Sequence, residues 1–304
     1  MKKQLNQRFK SNKLLKNQNQ FSNQSNSQLF KSNKSYKTNN LSRDQNLNEN
    51  ESEKDFIWIG GKNPCLLALK NQKRKIFEII TNKNNLEDLK SFFDKNSLQH
   101  LEKIVRVHEN AFFQNIFHKD FVHQGIAIRA SKIEFKTQFD LLEELNLIED
   151  KNHLPDVLIL DQITDPQNVG AIIRSAVAFN FKKIVFCEFN SAKETASLVK
   201  ASAGNIDFAE IYVATNINNL IEKLKKIGFW CIGLAGEGTE NEKKIAEYKN
   251  IVLVVGSEGA GMRNLVKKNC DLLVRINTNK EVESLNVSVA TAIALNELYR
   301  NKNV

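Results

Sequence analysis

The sequence predicts an α/β fold built around a parallel sheet. Six apolar segments between residues 156 and 304 have the length of buried strands, and helical segments alternate with them. Strands that are apolar on both faces are typical of a sheet that helices cover on each side. Residues 155–304 are therefore predicted to form a three-layer parallel-sheet domain.

The predicted strands of this domain are VLILDQI, KKIVFC, EIYVAT, FWCIGLAG, IVLVVG and LLVRIN. The helical segments between them are NVGAIIRSAVAFN, KETASLVKASAG, INNLIEKLKKIG and GMRNLVKKNC. A last helix, NVSVATAIALNELYR, closes the chain. This alternation has no internal repeat.

A smaller α/β domain is predicted over residues 55–131. It starts with the apolar segment FIWIGG, and a helix follows from about Pro64, a residue favoured in a first helical turn. The strand KIFEII, the helix NLEDLKSFFDKN and the strand GIAIRA continue the alternation. The acidic, amphipathic segment QFDLLEELNLIED predicts a connector over residues 132–154, which Pro155 ends.

The basic charge of the chain lies in its N-terminal segment. The formal net charge is +9, yet residues 1–43 hold ten Lys or Arg and no acid, so 34 basic and 35 acidic residues remain over 44–304. The Asn, Gln, Ser and Lys of residues 1–54 predict a disordered tail. An RNA-binding arm, a drift in composition and an organelle transit peptide are all open interpretations of it.

Composition also excludes several classes of protein. No apolar run approaches the ~20 residues of a membrane span, and the N-terminus lacks a secretory apolar run, which indicates a cytoplasmic protein. The four cysteines are far apart and form no C-x-x-C pair, so reduced core thiols are expected. All five histidines precede the larger domain, which therefore has no histidine base and no His-ligated metal.

The stretch LDQITDPQNVGAIIRSAVAF places an arginine on an apolar helix. An Asp-Pro turn and Asn168 as the cap predict a helix that begins near Val169. Arg174 lies about 9 Å farther along the axis by the rise per residue. A buried arginine needs a partner, so a salt bridge to Asp161 or Asp165 is one interpretation. We favour a functional arginine, because ligands bind at the carboxyl ends of such strands.

The stretch VVGSEGAGM is a glycine loop that follows an apolar strand. Its G-x-x-G-x-G spacing differs from the dinucleotide pattern G-x-G-x-x-G. Glu258 would repel a pyrophosphate, although an acid near a helix N-terminus is also favoured by the helix dipole alone. A ligand with an adenosine, no phosphate and a positive centre removes the objection, and S-adenosylmethionine has these features.

The stretch RINTNKEVESLNVSVATAI follows the last strand. Ile276 ends that strand, and Ser284 is predicted to open the final helix with Asn286 in its first turn. Capping explains Ser284. It does not explain why Leu285 and Asn286 close a loop opposite two other loops that resemble ligand-binding loops.

Together, DPQNVGAIIRSA, VGSEGAGM and SLNVSVA resemble the three motifs of the SpoU (TrmH-type) 2′-O-ribose RNA methyltransferases of the SPOUT class. The likeness is greatest to members that methylate a guanosine in 23S-type ribosomal RNA. The segment from IGGKNPCLLAL to HQGIAIRA is similar to the L30e-like RNA-binding domain of many members. The resemblance implies a C-terminal trefoil knot, a homodimer packed through the knot region, and S-adenosylmethionine without a metal.

By motif position, the resemblance also implies the site residues. The implied catalytic residues are Asn168, Arg174, Glu258, Ser284 and Asn286, and the implied cofactor-binding residues are Gly236, Gly256, Ile276 and Leu285. Arg174 is expected to contact the target hydroxyl and the adjacent RNA phosphate, with the proton passing to the phosphate or to the Arg174 region. The sequence departs from the family in having Asn277 where Pro is usual, which predicts a less rigid loop.

Three functions stay open at this level. The first is RNA 2′-O-methylation, with rRNA favoured over tRNA because of the L30e-like domain. The second is a catalytically silent RNA-binding protein of the same fold, which retention of all three motifs disfavours. The third is a nicotinamide or nucleotide enzyme, which the glycine spacing and Glu258 disfavour.

Overall fold

The computed structural model describes residues 56–188, 193–279, 281 and 284–302. These residues form two sheets, one of four strands and one of eight. The predicted tail over residues 1–54 lies outside the described residues. None of the described helices is long and apolar enough to cross a membrane.

The four-stranded sheet occupies the first part of the described chain. Its strands are β1 (Phe56–Gly60), β2 (Ile76–Thr81), β3 (Val105–Val107) and β4 (Ile126–Ser131), in the order β1-β4-β2-β3. Strand β4 is antiparallel to β1 and β2, while β2 and β3 are parallel. Its helices are α1 (Lys62–Lys70) and α2 (Lys83–Asn96), with short 3-10 helices at Gln99–Ile104 and Asn110–Asn115.

The eight-stranded sheet contains every strand predicted for the larger domain. Its strands are β5 (Lys136–Thr137), β6 (Val157–Asp161), β7 (Lys183–Cys187), β8 (Glu210–Ala214), β9 (Trp230–Leu234), β10 (Glu240–Asn241), β11 (Ile251–Gly256) and β12 (Leu272–Arg275). Their order is β10-β12-β9-β11-β6-β7-β8-β5, and all neighbouring pairs are parallel. The predicted parallel sheet is confirmed.

Helices cover both faces of this sheet. They are α3 (Gln138–Asn146), α4 (Pro166–Ala178), α5 (Ala196–Ala201), α6 (Ile217–Ile227), α7 (Asn264–Asn269) and α8 (Val287–Lys302), with 3-10 helices at Asn205–Phe208 and Glu242–Glu247. Apolar residues of α4, α5 and α8 share one buried core, and those of α3, α6 and α7 share the other. The three-layer arrangement is therefore confirmed, and the trefoil knot stays a prediction.

The alternation of side chains along β6 shows why the strand is apolar throughout. Leu158 and Leu160 belong to the core on one face of the sheet, while Val157 and Ile159 belong to the core on the other. All four side chains are buried. Since successive side chains point to opposite faces, a strand between two helical layers needs apolar residues at every position.

Part of the predicted connector lies in the large sheet. Strand β5 pairs in parallel with β8 at the sheet edge, and α3 begins directly after it with Thr137 as its cap. On α3, Glu144 accepts hydrogen bonds from Lys183 Nζ at 2.6 Å and from the Tyr212 hydroxyl at 2.6 Å. This edge of the sheet is thus closed by charged and polar contacts as well as by apolar packing.

A buried arginine joins the small sheet to the large domain. Arg74 donates to Glu194 Oε1 at 2.5 Å and to the Ser131 carbonyl oxygen at 2.7 Å, and its Nε contacts Asp207. The side chains of Arg74, Glu194 and Asp207 are all at least 96% buried. Burial raises the pKa of Glu194, and Arg74 partly offsets that rise. The cluster fixes how the two parts pack, because a buried charge is costly to separate from its partner.

Candidate active site

A cavity of about 670 Å³ opens at the carboxyl ends of β9, β11 and β12. The carboxyl end of a parallel sheet is where ligands bind in α/β folds. The cavity is lined by Leu234, Ala235, Gly236, Glu237, Val255, Gly256, Ser257, Glu258, Gly259, Ala260, Gly261, Met262, Lys267, Arg275, Ile276, Asn277, Thr278, Asn279, Ser284, Leu285, Val287 and Ala290. The structure thus places all four predicted cofactor residues, with Glu258 and Ser284, around one cavity.

The glycine loop after β11 folds back tightly on itself. A Cβ atom on Gly256 would stand 2.1 Å from the Met262 backbone nitrogen, closer than any real contact allows. The Gly261 N–H donates to the Ser257 carbonyl oxygen at 2.9 Å, and Gly259 and Gly261 adopt left-handed φ values of 80° and 67°. The glycines are therefore required by the loop itself, whatever ligand it faces.

Three side chains from distant parts of the chain form a hydrogen-bonded cluster. Asn168 donates to Glu258 Oε2 at 3.1 Å, and Asn286 donates to the same carboxylate oxygen at 3.3 Å. Asn286 also donates to Asn168 Oδ1 at 2.9 Å. The structure thus brings together one predicted catalytic residue from each of the three motifs.

The helix boundaries beside the cluster differ from the sequence-based expectation. Helix α4 begins at Pro166, and its cap is Asp165, whose carboxylate accepts from the Gln167 and Asn168 N–H groups. Asn168 is therefore not the cap, because a proline at the first position lets the helix start earlier. Helix α8 begins at Val287, so Ser284 lies in the preceding loop, where its side chain is exposed.

Arg174 differs most from the expectation. The sequence predicts a buried arginine in need of a partner, yet its side chain is exposed. Helix α4 buries Val169, Ile172 and Ile173 but not the side that carries Arg174. Among the described residues its guanidinium makes no ion pair, so a structural salt bridge to Asp161 or Asp165 is wrong. In this chain Arg174 also lies outside the Asn168 cluster.

Asp161 has a different arginine as its partner, which the sequence did not indicate. The buried Asp161 carboxylate accepts from the Arg263 backbone N–H at 2.9 Å and from its Nε at 2.8 Å. Burial lowers the pKa of Arg263, but the hydrogen bond and charge of Asp161 outweigh it, and the net shift is upward. This pair anchors the far end of the glycine loop to β6. The sequence offers only their positions as a signal: Asp161 ends a strand, and Arg263 follows the glycine loop.

A second ion pair lies in the cavity wall, and the sequence did not indicate it. Lys267 Nζ, on α7, is 2.5 Å from Glu237 Oε1 in the loop after β9. Both residues line the cavity. The hydrogen bond from Lys267 lowers the pKa of Glu237, so this carboxylate is ionised at neutral pH. No motif distinguishes either residue.

The chemistry of the site suits an organic ligand with positive charge. Apolar side chains such as Leu234, Met262 and Leu285 line the cavity beside the carboxylates of Glu237 and Glu258. The cluster offers carboxylate and amide oxygens as acceptors and amide groups as donors, which match hydroxyl-bearing ligands. Among residues 56–302, as far as the structure describes them, no group of three His, Cys, Asp or Glu could hold a metal.

Sequence comparisons place this site in a known context. Residues 155–296 match the model of the SpoU rRNA Methylase family. An uncharacterized tRNA/rRNA methyltransferase of Borreliella burgdorferi is 36% identical over 206 residues, covering 66% of this chain and 89% of that protein. The 23S rRNA (guanosine-2′-O-)-methyltransferase RlmB of Xanthomonas campestris is 31% identical over 249 residues, covering 82% and 98%.

Solved structures show the same fold at lower identity. The SpoU methyltransferase AviRb from Streptomyces viridochromogenes, in complex with AdoMet, aligns with a TM-score of 0.64 at 18% identity, covering 82% of this chain and 91% of that chain. An AdoMet-bound rRNA methyltransferase from Sinorhizobium meliloti aligns with a TM-score of 0.64 at 20% identity, covering 82% and 88%.

Proposed function

The chain belongs to the SpoU rRNA methylase family, and we propose that it methylates a ribose 2′-hydroxyl in structured RNA with S-adenosylmethionine as donor. The single observation that carries this proposal is the Asn168–Glu258–Asn286 cluster beside a cavity lined by all four predicted cofactor residues. The relatives named for 23S rRNA guanosine methylation support a guanosine of the large-subunit RNA as the target.

The residues of the cavity fit this cofactor. Ligand pockets typically have volumes of about 300–1,000 Å³, and the cavity, at about 670 Å³, lies in that range. The lining holds two carboxylates, Glu237 and Glu258, and two cations, Lys267 and Arg275, which suits a ligand that carries groups of both charges. S-adenosylmethionine supplies a methyl group activated on a sulfonium centre. Gly256, Ile276 and Leu285 are the residues proposed to hold its adenosine.

Glu258 is proposed to organise the catalytic residues. Its Oε2 atom accepts from both asparagines, which fixes the direction of each amide. The side-chain oxygen of Asn286, Oδ1, accepts from the Ser288 hydroxyl at 2.6 Å and from the Ser288 N–H at 2.9 Å. Because both Nδ2 hydrogens of Asn286 are used in the cluster, Asn168 keeps one amide N–H for a ribose, and Ser284 in the adjoining loop adds a hydroxyl.

Arg174 is proposed to bind the RNA rather than the protein. A ribose hydroxyl is a poor nucleophile at neutral pH, so the charge that develops on its oxygen must be stabilised. The exposed guanidinium has a planar set of donors that suits both a phosphate and a developing oxyanion. Because about 9 Å of helix separates it from Asn168, a bound nucleotide can lie between them.

A homodimer packed through the helical layer of α4 and α8 is also part of the proposal. A shallow groove of about 410 Å³ lies between these helices, lined by Ala171, Ser175, Phe179, Ser288, Val289, Ala292, Ile293 and Asn296. Val289 is 48% exposed and Ile293 36% exposed in the single chain. A second copy would remove this apolar surface from water. The C-terminal knot and a cytoplasmic location, where rRNA substrate is present, complete the proposal.

The proposed function is tested by an Arg174→Ala variant in two assays. S-adenosylmethionine affinity, measured by calorimetry, should be unchanged, since Arg174 does not line the cavity. Methyl transfer to rRNA isolated from cells that lack the protein should fall by about 100-fold or more, as for loss of one oxyanion donor. Ribose methylation mapped across rRNA and tRNA identifies the target.

The outcomes of this test separate the alternatives. A wild-type protein that does not bind S-adenosylmethionine is a silent RNA-binding protein of this fold. Modification confined to tRNA overturns the rRNA assignment but keeps the reaction. An Arg174→Ala protein that methylates at the wild-type rate overturns the role of this residue.

A further inference from the structure

Lys267 is a largely buried cation in the wall of the cavity. Its side chain is 21% exposed, and its Nζ atom lies 3.8 Å from the point where a Cβ atom of Gly261 would stand. Its ion-pair partner Glu237 is 56% exposed and lies on the loop between β9 and β10. The pair therefore joins a lysine of the cavity wall to a carboxylate that is mostly exposed to solvent.

The ion pair by itself gives little reason for a lysine at this position. A contact to a half-exposed carboxylate on a loop contributes little to stability, since water screens it and the loop must be ordered. The Lys267 ammonium has three N–H donors, and its hydrogen bond to Glu237 uses one of them. An anionic group of a ligand inside the cavity can accept from the other two.

The charged groups around the cavity indicate which anionic group of a ligand Lys267 would bind. Among the described lining residues the acids are Glu237 and Glu258, and the cations are Lys267 and Arg275. Glu258 is committed to two asparagine amides. S-adenosylmethionine carries one negative group, the carboxylate of its amino-acid end. Lys267 is the less exposed of the two cations and lies against the glycine loop.

We propose that Lys267 binds the amino-acid carboxylate of S-adenosylmethionine, with Glu237 holding the lysine ammonium at the cavity wall before the cofactor enters. This inference rests on the proposed function and adds a residue that recognises the cofactor. It also makes the carboxylate a specificity element. An adenosyl sulfonium without this group would leave Lys267 with only its exposed loop partner.

The test compares two ligands by isothermal titration calorimetry on the full chain. S-adenosylmethionine and its decarboxylated form differ only in the carboxylate. For Lys267→Ala, the affinity for S-adenosylmethionine should fall at least tenfold, while the affinity for the decarboxylated form should change less than twofold. Lys267→Arg should retain most of the difference between the ligands. Lys268→Ala, an exposed neighbour on α7 outside the cavity, is the matched control and should match wild type.

The remaining outcomes overturn the inference. An equal loss of affinity for both ligands means that Lys267 has only a structural role, and Lys267→Met, which keeps the length of the side chain, checks this if the alanine variant unfolds. A loss restricted to the carboxylate ligand in Arg275→Ala but not in Lys267→Ala assigns the carboxylate to Arg275. Wild-type protein that binds neither ligand overturns the proposed function itself, a result distinct from the other two.

Discussion

Replacing Gly256 by alanine tests whether the glycine loop is built by its own backbone. The new Cβ atom would stand 2.1 Å from the Met262 nitrogen and 2.5 Å from the Gly261 carbonyl oxygen. Ordinary contact begins near 3.4 Å, so the returning strand of the loop must move by about 1.3 Å. Both obstructing groups are backbone atoms, which cannot escape by a change of rotamer.

The expected cost follows from that displacement. Overpacking of a well-packed site costs about 1–3 kcal/mol, and a backbone obstruction is expected near the upper end, about 3 kcal/mol in the free energy of unfolding. If the loop moves instead of resisting, its hydrogen bond between Gly261 and Ser257 is lost and the cavity is deformed. The cost then appears as at least tenfold weaker binding of S-adenosylmethionine.

Gly236→Ala is the matched control for the effect on stability. Gly236 lines the same cavity, but nothing lies within 4 Å of its Cβ position and its φ is not left-handed. The free energy of unfolding of the Gly236→Ala protein should stay the same or rise by about 0.5 kcal/mol, because alanine restricts the backbone conformations of the unfolded chain. Urea unfolding and calorimetry should be measured for both variants. Wild-type stability together with wild-type cofactor affinity in Gly256→Ala would show that the loop accommodates a side chain at this position.

Three further predictions concern charged groups. Arg74→Met should lower the free energy of unfolding by about 3–5 kcal/mol in urea titrations, since it removes the cation that two buried carboxylates share; a loss below 1 kcal/mol contradicts this. Asp161→Asn should weaken S-adenosylmethionine binding several-fold, because Arg263 no longer anchors the glycine loop; unchanged affinity in calorimetry argues against such anchoring. Burial raises the pKa of Glu144, but the hydrogen bonds that this carboxylate accepts outweigh burial and lower the pKa to about 2. The ionised Glu144 therefore stabilises the fold above pH 4.5, and this stabilisation is lost as the pH falls towards 2. The stability difference between wild type and Glu144→Gln should therefore shrink over that range in pH-dependent unfolding, and a constant difference contradicts the assignment.

The strands and the three motifs could be predicted from the sequence because their signals are local. A strand between two helical layers must be apolar at every position, as Val157 to Leu160 show. The glycine loop and the Asn168 motif also carry their information in adjacent residues. These signals were sufficient for the parallel sheet, while the resemblance to the family supplied Gly236, Gly256, Ile276 and Leu285, which all line the cavity.

The partners of charged groups could not be predicted in the same way. The apolar residues around Arg174 predicted that its side chain is buried, yet the helix exposes that side chain to solvent. Asp161 pairs with Arg263, which lies 102 residues farther along the chain. Nothing local distinguishes this pairing from a pairing with Arg174, since both arginines follow a strand that ends at the same edge of the sheet.

The order and type of the helices and strands follow from the amino-acid sequence, because hydrophobic periodicity and the positions of glycine and proline act over a few residues. Which side chains meet depends on tertiary packing. Packing in a parallel sheet brings the ends of β6, β9, β11 and β12 to one edge, and the register of those strands sets the distances. The contact of Asn168, Glu258 and Asn286 and the Lys267–Glu237 pair in the cavity wall depend on that packing.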